Sequence, residues 1–192
     1  MLNRSLPIHS TSSQHGVALI TGLIFMVVLT LIAITAARMA GLEERMSGNM
    51  RDRSLAVQAA EMALRDAERD IRGGAGTTRT PPISGLTNFV SACTNGLCYN
   101  GNLGNANGVD WNVTPVWSTL SMTAAPSVAY SDFTNADVTL MTHLSALPRY
   151  IIEGIRKMPP GNGSPVHYYR ITVRAQGVNP NTVVWLQEVF RP

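Results

Sequence analysis

The sequence predicts an α+β fold, with one long N-terminal helix packed on a small antiparallel sheet. Three observations lead there. Residues 17–72 contain no proline and pass, after Ala37, from an uncharged apolar run to a charged helical pattern. Residues 149–190 hold three runs rich in β-branched and aromatic side chains, separated by turn residues. Between them, residues 77–148 are dominated by Asn, Gly, Thr, Ser and Pro, a loop composition. The 192 residues are enough for one membrane helix and one modest domain with its own core.

The first element begins at a junction. A polar segment, MLNRSLPIHSTSSQHG, stops at Gly16, and VALITGLIFMVVLTLIAITAA runs uncharged from Val17 to Ala37. That run is long enough to cross the bilayer core once as a helix. A discarded secretory signal has an apolar segment of about 7–15 residues and is cut on its far side. Here the natural cut point is the glycine before the run. A chain cut at Gly16 keeps its apolar helix as the mature N-terminus.

From Arg38 to Arg72 the helix is charged yet balanced. Arg38, Arg45, Arg51, Arg53, Arg65, Arg69 and Arg72 are offset by Glu43, Glu44, Asp52, Glu61, Asp66, Glu68 and Asp70. With a formal net charge of only +3 and no basic block, nucleic acid is not an expected partner. Met46, Met50, Val57, Leu64 and Ile71 recur at helical spacing, flanked by Ala56, Ala59, Ala60, Ala63 and Ala67. The whole helix would span about 84 Å, more than a bilayer needs, so its second half must pack on something else. The face Val57, Ala60, Leu64, Ala67 and Ile71 is expected to pack on the sheet. Between Gly41 and Arg53 the sequence leaves two partners open for the face, the sheet or a bundle of other helices. Gly73, Gly74 and Gly76 end the helix.

The middle region, 73–148, reads as loops with short strands or a small helix near Ser84–Ala92. Trp111, Trp117, Tyr130 and Phe133 are expected to anchor these loops. Cys93 and Cys98 bracket TNGL, whose Asn95-Gly96 pair forms turns. Redox pairs have two intervening residues rather than four, and two cysteines alone cannot make a zinc site. A structural disulfide follows, contributing about 2 kcal/mol by closing a short loop. Arg149–Ile155, Val166–Gln176 and Thr182–Phe190 are read as a three-stranded meander. In the second, Tyr169, Ile171, Val173 and Ala175 alternate with Arg170, Thr172, Arg174 and Gln176, so one face is read as apolar and the other as wet.

The segments EERMSGNMRDR and AVQAAEMALRDAE, within Ala37–Ile71, resemble the N-terminal region of the PilX-type minor pilins. ACTNGLCYN and RITVRAQGVNPNTVVWLQEVFRP are similar to later parts of the same family. The resemblance implies a pilin-like fold. It divides the chain into a prepilin leader (1–16), a fibre-core helix (17–37), the amphipathic half of that helix (38–72), a loop-rich variable region with the disulfide (73–148) and C-terminal strands (149–192). It further implies cleavage after Gly16 by a membrane prepilin peptidase and methylation of the new Val17 amine. The leader would lie in the cytoplasm and the head in the periplasm, before passage from the inner membrane into the fibre. Expected partners are other minor pilins, the major pilin and the inner-membrane assembly machinery.

Thr21 departs from the pilin pattern. The fifth mature residue of most pilins is a glutamate that meets the N-terminus of an adjacent subunit. No acidic residue lies between Val17 and Ala37 here. A hydroxyl can bond a carbonyl one turn back, but it cannot neutralise an amine. A subunit without that carboxylate suits a position with no subunit above it, at or near the tip. Tip pseudopilins of type II secretion systems share the loss, which gives one alternative reading. A pilus-tip adhesin that binds through the low-charge middle is another. Catalysis finds no support: His143 and His167 are isolated, no serine sits in a nucleophile elbow, and Asp132, Asn135 and Asp137 do not follow the EF-hand pattern. No cofactor or metal is expected.

Overall fold

The computed structural model describes residues 15–99, 101, 116–159 and 163–192. The segment before His15, Asp110 and Trp111 lie outside them. One helix, α1, runs His15–Arg72. The chain falls into two compact units, one ending at Gly48 and the other spanning Asn49–Pro192.

The described residues of the first unit are all helical. Its large apolar side chains from Val17 to Met46 are all exposed. Threonines in the run satisfy their hydroxyls locally: Thr30 donates to the Val27 carbonyl at 2.8 Å and Thr35 to that of Ile32 at 2.8 Å. This is how a hydroxyl survives in an apolar helix.

The second unit contains the sheet. Its strands are β1 (Leu97–Tyr99), β2 (Val128–Ala129), β3 (Arg149–Lys157), β4 (Val166–Gln176) and β5 (Val183–Phe190). The order is β1-β3-β4-β5, with β2 paired to β3. β3, β4 and β5 form the expected antiparallel meander. The sheet as a whole is mixed, however, because β1 pairs with β3 in parallel. The cause is topological: the chain reaches β1 early, then travels through a long loop before entering β3 in the same direction. Three residues with a cysteine in the centre gave too short a pattern to read as a strand. Near Ser84–Ala92 there is no helix, only a turn and an isolated bridge from Val90 to Cys98.

The main core lies between α1 and one sheet face. Ala56, Ala59, Ala60, Ala63, Ala67 and Ile71 pack with Tyr150, Ile152, Tyr169, Ile171, Val173 and Val184. Alanines let helix and sheet approach closely, and the large side chains come from the strands. The opposite face differs from its reading as wet. Cys93, Cys98, Met122 and Ile151 form a second cluster there, joined by Val116, Trp117 and Leu120. The loop carrying these residues covers the sheet, so Arg170 and Thr172 are buried at 6% and 2% exposure. Close packing also fixes Gly154 on β3: a Cβ there would come within 2.8 Å of the Phe89 ring.

Candidate assembly surface

Two surfaces bear on function, and each belongs to one unit. In the first, Gly16 and Val17 lie in the opening turn of α1, and Val17 is 63% exposed. Thr21 donates to the carbonyl of Val17 at 2.7 Å and lies 3.2 Å from that of Ala18. Its hydroxyl is thus spent within the helix. The helix is long and apolar enough to cross a membrane. Further along, Met39, Leu42 and Met46 present an apolar stripe that no part of the chain covers among the described residues. A water-facing stripe of this size is costly, so the surface has to be covered by lipid or by other subunits.

In the second unit, the expected packing face has a modified centre. Ala60 and Ala67 are fully buried and Ile71 nearly so, while Val57 and Leu64 sit half-buried at its margins. The centre also holds two carboxylates, Asp66 and Asp70, at 3% and 1% exposure. In the sequence they count only toward the charge balance of the helix. Their positions relative to Ala59, Ala63 and Ala67 place them on the buried side of the helix, and that phase was the available signal.

Asp70 is held in full. Arg79 Nε and Nη2 each donate to its two oxygens at 2.6 Å, and the Tyr150 hydroxyl donates at 3.1 Å. Arg79 also donates to the Asn95 carbonyl at 3.1 Å and lies 3.8 Å from the centre of the Phe133 ring. Two-pronged guanidinium geometry and extra hydrogen bonds are what a buried ion pair needs to be tolerated. Burial pushes the Tyr150 phenol far up, and the neighbouring Asp70 charge adds to this. Asp66 forms no ion pair with a cation among the described residues. It accepts from the Ser131 backbone at 2.9 Å and from the Thr134 hydroxyl. Burial pushes its pKa above the ordinary carboxylate value, against the opposing pull of those bonds. The two aspartates therefore clasp the helix to residues 79, 95, 131–134 and 150.

A third carboxylate pins the turn between β4 and β5. Asp52 accepts from the Val178 amide at 2.6 Å and the Asn179 amide at 3.3 Å. A hydrogen bond from Thr182, followed by those backbone bonds, holds its carboxyl below the usual range. On the far side of the sheet, Glu153 and Arg170 stand opposite one another in register. They bond at 2.8 and 2.7 Å, and Glu153 also accepts the Val116 amide at 3.0 Å. The Cys93–Cys98 disulfide lies beside them, fully buried, with the Cα atoms 4.1 Å apart. The other expected anchors divide among these layers. Tyr130 is in the main core, Phe133 beneath Arg79, and Trp117 against Trp185 with ring centres 4.9 Å apart. Asp132 and Asp137 accept the amides of Ala129 and Thr139, as loop-capping acids do.

The chain thus combines a long exposed apolar helix with a helix segment clasped to a disulfide-bearing sheet. Comparison with known families agrees. The family described as PilX N-terminal matches residues 15–65, and that described as type IV pilus assembly protein PilX C-term matches residues 94–192. The chain belongs to the PilX family of type IV pilus assembly proteins. No curated protein and no solved structure matches it. The PilX N-terminal match covers the apolar helix, the exposed methionine stripe and the start of the packing face. The PilX C-terminal match starts just after Cys93 and covers Cys98, the rest of the outer cluster and the whole meander. Membership makes this a type IV pilus protein of a structural family, with pilus and membrane partners.

Proposed function

We propose that this PilX-family chain is a minor pilin that helps initiate type IV pili and sits at or near the fibre tip. The observation that carries the reading is Thr21. Its hydroxyl is turned back onto its own helix, and the run to Ala37 contains no carboxylate. Such a helix has nothing with which to neutralise the N-terminal amine of a neighbour, and an unpaired charge in an apolar fibre core is strongly unfavourable. A terminal position avoids that demand.

The proposed pathway follows from the same segment. The leader is removed after Gly16, the Val17 amine is methylated, and the apolar helix passes from the inner membrane into a bundle with other pilins. The head stays on the periplasmic side and then on the fibre. The exposed Met39, Leu42 and Met46 stripe supports contact with neighbouring subunits. The test is labelling of a tagged chain on sheared fibres, with the recovered N-terminus read by mass spectrometry. Label at fibre ends on chains beginning with methylated Val17 is expected. Thr21→Glu should spread the label along the fibre. Uniform label on unaltered fibres would sink the tip position, and an intact Met1 would sink the pathway.

A further inference from the structure

The head contains a cleft among its loops. It has a volume of about 350 Å³, with Arg79, Asn88, Val90, Thr94, Asn95 and Phe133 on its walls. Loop residues build most of it, yet the walls are tied down. Arg79 bridges Asp70 on the helix and the Asn95 carbonyl. The Val90 carbonyl accepts from the Cys93 and Tyr99 amides at 3.1 and 2.9 Å, and the disulfide closes the segment between those residues. A site organised before its ligand arrives loses less ordering entropy on binding.

The lining defines the ligand's chemistry. Among the described residues, the Asn88 and Thr94 side chains make no hydrogen bond within the chain, so their donors and acceptors are available. A carboxamide and a hydroxyl both donate and accept. Val90, 41% exposed, and Phe133 add an apolar flank. Arg79 is the charged residue on the walls, and Asp70 neutralises it. An anion therefore meets no free cation, and a cation meets no carboxylate. An extended peptide requires backbone partners, and the Val90 amide is already committed to the Leu97 carbonyl at 3.3 Å. A neutral ring with hydroxyls at its edge and a C–H face matches the lining. The volume lies at the small end of ligand pockets, about 300–1,000 Å³. We infer that this cleft binds one neutral saccharide unit. The inference rests on the head alone and stands whether or not the chain lies at the tip.

The experiment is saturation-transfer NMR on the full chain in lipid nanodiscs, which keeps glycoside detergents out. Probes are glucose, galactose, N-acetylglucosamine and lactose, beside glucuronate and an uncharged Ser/Gly peptide. At least one neutral sugar should receive saturation, with Kd about 1 mM. Asn88→Ala and Thr94→Val should each weaken it about fivefold, with melting temperatures unchanged, because neither side chain bonds within the chain. If Asn88→Ala melts early, the exposed Thr94→Val decides. Transfer to glucuronate or the peptide alone, transfer to no sugar, or equal binding by both variants would overturn the assignment.

Discussion

The same helix solves two opposite problems on either side of Gly48. Before it, large apolar side chains stand exposed and the polar atoms turn inward to the helix's own carbonyls. After it, the buried stripe is small, mostly alanine, and charged groups are drawn into the core. The first half leaves its surface for lipid or other chains. The second half is used up by its own head. Hydrophobicity alone would have ranked the first half as the better core, so it is spacing and partner shape that distinguish an internal face from an external one.

The sharpest way to break this contrast is a charge in the second half. Ala63→Asp puts a carboxylate at a fully buried position within the hydrophobic core. A loss of more than about 4 kcal/mol is expected, read as failure of the full chain in nanodiscs to give a cooperative urea transition. Next is Arg79→Met, which leaves Asp70 buried and unpaired. It should cost about 3 kcal/mol. Adding Asp70→Asn should recover part of that, and strict additivity of the two changes would show that they do not act as a pair.

Asp66 sharpens the comparison through pH. Its folded-state pKa is raised by burial. Its stabilising contribution is therefore fully present below the unfolded value and is lost as pH rises through the folded one. Asp66→Asn mimics the protonated form. Relative to the parent chain, the variant should gain in melting temperature between pH 4 and pH 7, and a constant difference across that range would refute the burial argument. The smallest effect belongs to the first half. Leu42→Asp, at a position 65% exposed, should change head stability by no more than about 0.5 kcal/mol while abolishing fibre incorporation. Loss of head stability there would erase the distinction between the halves.

Much of this was legible in the sequence. The helix, its glycine stop, the antiparallel meander and the cysteine pair all leave local signatures: periodicity, turn residues and close spacing. What escaped depends on contacts remote in the chain. β1 is short and gains its identity from β3, more than fifty residues later. Asp66 and Asp70 look like ordinary surface acids until Ser131, Thr134, Arg79 and Tyr150 arrive around them. Arg170 and Thr172 alternate as wet residues should, and only the loop bearing Trp117 buries them. For the candidate site, Thr21 was conspicuous by its place in an uncharged run, whereas the cleft beside Asn88 could not be seen before the loops were placed.

The clasp through Asp66 and Asp70 also limits how this subunit can be recombined. Because the helix from Asn49 onward supplies carboxylates that hold the loop at Thr134 and the strand at Tyr150, those segments and that stretch of helix form one inheritable block. A chimera that joins a foreign head just after Arg72 would strand two acids in a core built for other residues. A seam at Gly48 keeps every such bond with its owner, so the natural unit of exchange is the head together with the helix from Asn49 onward.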